Sequence, residues 1–250
     1  MKPVVAVIGL GLVGGSVARA LTAAGYTVIG VDRPAVARRA RRIGAVARAE
    51  ATAERAASAA GVVVLAATPR ANLRLLRRVA RAAPEVLVTD VGSVKVPIAR
   101  AAAALRLRRF IGGHPLAGSE RSGLAASDAR LFRGRPWVLT PVRASAREVA
   151  LLRRTVRAMG ARLVTMTPAE HDRAVAFLSH VPQLVAWALL DAARRDRVAG
   201  RRLGIAGPGF RDMTRLARSP RRLWREILDQ NRREVARALG GLTRELRRAR

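Results

Sequence analysis

The sequence predicts an α/β protein in which a doubly wound, mostly parallel sheet is followed by an all-α C-terminal part. Three observations predict it. Residues 3–8 are a short apolar run ending on a glycine cluster, a helical stretch follows over residues 16–24, and a second apolar run, residues 27–31, closes on Asp32. Apolar runs then continue to alternate with helical patterns up to about residue 165, which is the signature of βαβ units. Beyond Pro168 the alternation gives way to helical periods alone, so the domain boundary is placed between 1–165 and 166–250.

The glycine cluster is Gly9-Leu10-Gly11-Leu12-Val13-Gly14. Gly9 permits a tight turn, Gly11 lets the backbone approach a pyrophosphate, and Gly14 allows close helix–strand packing. The helix that follows offers its unpaired N–H groups to the phosphates. With both flanking strands in place, this is the dinucleotide fingerprint of a Rossmann domain. Asp32 lies eighteen residues beyond Gly14, where a carboxylate accepts the ribose hydroxyls and repels a 2′-phosphate, which favours NAD. Arg33 beside it is a candidate receiver for that phosphate, so NADP stays open.

Residues 61–67 read as a buried strand followed by Thr68-Pro69, at the edge where ligands of a parallel sheet collect. Residues 72–82 read as a helix and 86–89 as the next strand, which runs into Asp90-Val91-Gly92-Ser93-Val94-Lys95. Thr68, Val91 and Gly92 are therefore assigned to the cofactor edge, and Ser93 to the chemistry. Lys95 is left between a solvated charge and a functional one. A short strand over 109–111 delivers the next segment, and strands over 136–141 and 162–165 flank a helix over 145–159.

That next segment, residues 110–123, holds glycines, a His-Pro pair, two serines and an acid, and reads as too irregular for helix or strand. It contains His114, one of three histidines in the chain, the others being His171 and His180. Imidazole accepts and returns a proton near neutrality, so His114 on a loop stiffened by Pro115 is a candidate base; the bland alternative is a surface histidine.

In the C-terminal part, helices are expected at about 168–197, 212–218 and 220–239, with a break at Gly240-Gly241 before a basic tail. Pro182 cannot donate to the Leu178 carbonyl and should kink the first of these. Ala176, His180, Gln183, Leu184 and Trp187 share one stripe, read either as core or as a pocket wall beside the kink. Asp212 is a plausible cap, and Ser219-Pro220 opens the next helix in cap-then-proline order.

Composition adds bounds. The chain has no cysteine, which excludes disulfides and thiolate metal sites, and no apolar run after the first approaches the ~18 residues that span a bilayer. A cytoplasmic protein without a metal is expected. The net charge of +31 is almost wholly arginine, with lysine only at 2 and 95. Paired arginines amid alanine, few aromatics and no nucleic-acid motif favour solvated helix faces over a specific nucleic-acid site.

Gly9-Leu-Gly-Leu-Val-Gly-Gly-Ser16, Asp90-Val-Gly-Ser-Val-Lys95, Gly113-His-Pro-Leu-Ala-Gly-Ser-Glu120, His171-Asp172, Ser179-His-Val-Pro182 and Gly209-Phe-Arg-Asp-Met-Thr-Arg215, with Trp224 and Asn231 after them, resemble the prephenate/arogenate dehydrogenase family of tyrosine biosynthesis. The resemblance covers nearly the whole chain. It implies a Rossmann domain, a helical domain that forms a homodimer, and NAD-dependent oxidative decarboxylation of prephenate to 4-hydroxyphenylpyruvate, with no metal. Arogenate, or both substrates, is the alternative. By motif, the resemblance implies that His114 takes the proton of the ring hydroxyl, that Ser93 hydrogen-bonds there, and that Arg215 grips a substrate carboxylate. Ser119, Glu120, His180 and Trp224 match pocket residues, Asp212 sits among them, and Gln183 stands where many prephenate users carry a second histidine. The related β-hydroxyacid dehydrogenases are disfavoured, because their catalytic lysine follows the Rossmann domain and no lysine follows Lys95 here.

Overall fold

The computed structural model describes residues 2–118 and 121–249 and divides into two compact units, Met1–His171 and Asp172–Arg250. Among the described residues the first contains eight strands: β1 Val5–Ile8, β2 Val28–Val31, β3 Arg48–Ala49, β4 Val62–Leu65, β5 Leu87–Asp90, β6 Phe110–Pro115, β7 Pro136–Arg143 and β8 Arg162–Thr165. Between them run α1 Leu12–Ala23, α2 Pro34–Arg42, α3 Ala53–Ser58, α4 Pro69–Ala82, α5 Val96–Ala104 and α6 Ala146–Arg157. The strands form one sheet in the order β3-β2-β1-β4-β5-β6-β7-β8. Neighbours are parallel except β6 and β7, which are antiparallel.

Alternation along each strand feeds two cores. Val5 and Val7 of β1 join Val28, Val62, Val64 and Ile111 on one face, against α1 and α6 through Val17, Leu21, Leu152 and Val156. Ala6 and Ile8 face the other way, with Ile29, Val63, Leu65 and Phe110, against Ala56, Leu76, Val79 and Ile98 of α3, α4 and α5. A sheet covered on both faces needs near-continuous apolar strands, and β1, β2, β4 and β5 are buried along their whole length. The strand order reverses between β1 and β4, so ligands are expected beyond the C-terminal ends of these two strands.

Two sequence expectations change here. The first helix starts at Leu12 rather than Ser16, directly on the glycine turn. Residues 110–115 are not an irregular loop but strand β6, parallel to β5 at Phe110 and Ile111 and antiparallel to β7 from Phe110 to Pro115. The glycines misled because they serve close approach, not a turn. A Cβ on Gly112 would stand 2.4 Å from Thr140 Oγ1, and one on Gly113 2.5 Å from the Asp90 carbonyl. His114 therefore sits on a strand.

Thr167 and Glu170 cap the following helix, α7 Pro168–Val175. The Thr167 hydroxyl accepts from the Glu170 N–H at 3.2 Å, and the Glu170 carboxylate accepts from the Thr167 N–H at 2.8 Å, which holds that carboxyl below its ordinary range.

The second unit is helical: a π turn at Ala176–His180, then α8 Val181–Arg195, α9 Pro208–Thr214, α10 Arg221–Gln230 and α11 Arg232–Arg248. The effect expected of Pro182 appears as the π turn, in which the Val181 N–H donates to the Ala176 carbonyl five residues back. The stretch Pro168–Arg195 is, contrary to expectation, long and apolar enough by length and composition to cross a membrane. Polar residues interrupt it, so the sequence shows no unbroken apolar run there. His180 and the Asp172 carbonyl are hydrogen-bonded by Asn231 inside the helical unit, as befits a core helix.

The helix expected over 220–239 is two helices meeting at buried Asn231, where φ is −113° and ψ 20°. The expected break at Gly240-Gly241 is absent, because α11 runs through both glycines to Arg248. A Cβ on Gly240 would meet nothing nearer than Arg244 Nη1 at 3.8 Å. Gly240→Ala should therefore raise stability by about 0.5–1 kcal/mol, the ordinary cost of glycine inside a helix, read as an upward shift in thermal midpoint. A lowered midpoint would show that the chain does need glycine there.

Candidate active site

The glycine turn is built by steric necessity. Gly9 has φ +99°, and a Cβ there would lie 2.7 Å from the Ala66 carbonyl carbon. A Cβ on Gly14 would fall 1.9 Å from the Gly9 oxygen, so helix α1 can sit on the turn only without one. A Cβ on Gly11 would meet nothing within 4 Å, and Gly11 caps α1 without a side-chain hydrogen bond. The turn thus presents a bare backbone at a helix N-terminus with room in front of it, which fits a pyrophosphate. Leu10 is taken up by the fold: its side chain is in the core and its N–H donates to Asp32 Oδ2 at 2.7 Å. Leu12 and Val13 are half-buried in the first turn of α1.

Asp32 follows β2, and its other oxygen accepts from the Arg33 N–H at 2.6 Å. The Arg33 guanidinium stands 3.8 Å from that carboxylate with its side chain 87% exposed, too solvated to neutralise it firmly. Thr68 is exposed at the start of α4. The turn before it is held by buried Asn72, whose Oδ1 accepts from the Ala67 N–H at 3.0 Å and whose amide donates to the Leu65 carbonyl. Asn72 is marked in the sequence only by its position four residues after Thr68 on an amphipathic helix.

Parallel register brings these segments to one edge. Ile8 pairs with Val31 and Leu65, Leu65 with Asp90, and Thr89 with Ile111. The glycine turn, Asp32, Thr68, Val91, Gly92 and Ser93 therefore all follow the same ends of adjacent strands, and His114, within β6, lies on the same edge beyond the end of β5. Val91 is buried, while Gly92 and Ser93 are half-buried.

Lys95, left undecided from sequence, proves structural. Its side chain is fully buried and its Nζ donates to Asp90 Oδ2, itself buried, and to the Gly113 carbonyl at 2.7 Å. Asp90 also accepts from the Gly92 N–H at 2.8 Å and from the Gly113 N–H at 3.1 Å. Both peptide groups of Gly113, the residue before His114, are thus fixed by one ion pair. His114 is buried, and its Nδ1 lies 2.8 Å from Nε2 of fully buried His171, the rings edge to face with centroids 5.0 Å apart. In the sequence His171 is marked only as part of the His171-Asp172 motif.

In the helical unit, His180 Nδ1 lies 3.1 Å from the Asn231 amide, and its ring meets Trp224 edge to face at 5.9 Å. Buried Gln183 donates to the Leu216 carbonyl at 2.8 Å, which ties α8 to the 3₁₀ turn Arg215–Arg218. Arg215 is exposed and, with Arg211 and Arg218, rims a cavity of about 180 Å³ over Leu203, Ala206 and Phe210. Asp212 is not a helix cap: Gly207 holds that place, and Asp212 lies exposed within α9. Helix α9 ends at Thr214, so the helix expected over 212–218 starts and stops earlier. Ser119 and Glu120 lie outside the described residues.

Residues 17–165 match the family described as prephenate dehydrogenase, nucleotide-binding domain, and residues 167–250 match prephenate dehydrogenase, dimerization domain. The chain belongs to the prephenate dehydrogenase family. It is 35% identical over 248 residues to prephenate dehydrogenase of Bacillus subtilis, covering 94% of this chain and 66%, just under two thirds, of that protein. Among solved structures, prephenate dehydrogenase from A. aeolicus in complex with hydroxyphenyl propionate and NAD+ superposes with a TM-score of 0.92 at 29% identity, over 99% of this chain and 89% of that one. Synechocystis arogenate dehydrogenase gives 0.85 at 31% identity, over 98% and 90%.

The buried pair makes a measurable demand. Lys95→Met leaves Asp90 without its counter-charge and should lower the unfolding free energy by about 3–5 kcal/mol in urea titration, the usual loss when one partner of a buried pair is removed. A loss below about 1 kcal/mol, the worth of an exposed pair, would contradict the assignment.

Proposed function

We propose that the chain is an NAD-dependent prephenate dehydrogenase, with His114 as the base. The observation that carries this is the placement of a buried, hydrogen-bonded histidine on the sheet edge that also carries the bare glycine turn and Asp32. Gly9 to Gly14 would receive the pyrophosphate and Asp32 the adenosine ribose, with Thr68, Val91 and Gly92 along the same edge. NAD, when bound, supplies the hydride acceptor.

The chain's own part is proton and charge management. His114 takes the proton of the C4 hydroxyl as the C4 hydride departs, which leaves a ring carbonyl. Loss of the C1 carboxylate as carbon dioxide then sends its electron pair into the ring, and the phenolate oxygen recovers a proton from His114. Ser93 serves as a hydrogen-bonding partner of that hydroxyl. Arg215 takes a substrate carboxylate, for which a planar guanidinium on a partly apolar cavity is suited. His180, Trp224 and Gln183 shape the surroundings of that arginine, and Ser119 and Glu120 complete the substrate contacts.

The substrate reading keeps prephenate first. Asp212, exposed on α9 three residues before Arg215, supplies a negative charge that would favour the ammonium of arogenate. Some arogenate turnover is therefore part of the proposal. The helical unit exposes Leu178, Val198, Ile205 and Leu246, each more than 60% accessible, an apolar surface suited to a homodimer.

Steady-state turnover with prephenate and arogenate side by side, using NAD, tests the reading. The wild type should convert prephenate faster, and His114→Asn should cut turnover by about two to four orders of magnitude with little change in KM. No turnover of either substrate by the wild type, or a His114→Asn variant that keeps most of its rate, would refute it.

A further inference from the structure

We infer that His171 is a positioning residue that fixes the tautomer of His114. The inference rests on the base role proposed for His114 and adds which of its nitrogens reacts. His114 Nδ1 lies 2.8 Å from His171 Nε2. At that distance one nitrogen carries the proton and the other accepts, because two bare or two protonated nitrogens would repel. A histidine acting as base needs its reacting nitrogen bare. Nδ1 is turned to His171, so proton abstraction falls to Nε2, and the resting proton of His114 must sit on Nδ1. His171 then accepts through a bare Nε2 and carries its own proton on Nδ1.

Burial makes this arrangement selective. His171 is fully buried and His114 nearly so, and a second positive charge in so dry a pair would cost far more than one. When His114 takes the substrate proton, its Nδ1–H still donates to a neutral His171, so the cation forms with its hydrogen bond already in place. His171 is held for this by its own helix: its N–H donates to the Thr167 carbonyl at 3.0 Å, in the turn closed by the Thr167–Glu170 capping pair. The lysine and aspartate behind Gly113 fix the strand on which His114 rides, and His171 fixes the ring.

Imidazole 15N spectra of the wild type above neutral pH read the tautomers directly, and with three histidines in the chain the signals are assignable by single substitutions. The inference predicts a protonated Nδ1 and a bare Nε2 for His114, with the same state for His171. A His114 protonated on Nε2 overturns it, whatever the substrate proves to be. Kinetics supply a second readout. His171→Leu should lower kcat by about 10- to 100-fold with little change in KM, the range seen when a partner orienting a functional histidine is lost. His171→Gln, whose amide oxygen falls near the place of Nε2, should recover most of that loss. Equal losses in both variants, or a fully active His171→Leu, would overturn the positioning role. An inactive wild type with the expected tautomers would instead refute the proposed substrate alone.

Discussion

The buried Asp90–Lys95 pair is the constraint on which the rest of the candidate site's sheet edge depends. Two opposite charges out of water contribute little net stability by themselves, because desolvation offsets their attraction. What they supply here is geometry. Asp90 ends β5, Lys95 precedes α5, and between them they hold the N–H and the carbonyl of Gly113 and the N–H of Gly92. Gly113 has no side chain to interfere, so β6 can press its backbone on Asp90 and deliver His114 at a set depth. An apolar pair of equal volume would fill the space but make none of these bonds.

How far the sequence revealed this follows from what each residue type signals. The Gly9–Gly14 turn was legible because glycine spacing, flanking apolar runs and an acid at the right distance report one geometry together. The sheet and its helical sequel were legible for the same reason, since strands buried on both faces leave unbroken apolar runs. Only the start of the β6 strand was, because Gly112-Gly113 and Pro115 carry turn chemistry in isolation, and only the neighbouring Asp90 and Thr140 explain why side chains are excluded there. Lys95 could be read either as a solvated charge or as a functional one; its partner lies five residues back, and its second bond goes to a carbonyl eighteen residues ahead. Long-range hydrogen bonds of that kind leave no periodic trace.

The helical unit shows the same limit. The stripe through Ala176, His180, Gln183 and Trp187 was visible as helical spacing, and these residues are buried. What spacing could not show is that Asn231, between α10 and α11, reaches both the Asp172 carbonyl and His180, and that Gln183 ties down Leu216 beside Arg215. Nor could it show that Gly240-Gly241 stays helical, since glycine lowers helix propensity without forbidding the helix. Asn231 and Gln183 thus fix helix junctions, and Arg215 lies at one of those junctions.

The most direct test of this account separates stability from placement at the Asp90–Lys95 pair. The double variant Asp90→Asn, Lys95→Met removes both charges together and should regain most of the stability that Lys95→Met alone loses. Under the proposed activity, its turnover of prephenate should nevertheless stay at least about 10-fold below wild type, because the Gly113 carbonyl has lost its Lys95 partner and small misplacements of the proposed base are costly. A double variant with restored stability and wild-type turnover would contradict the claim that this pair positions His114.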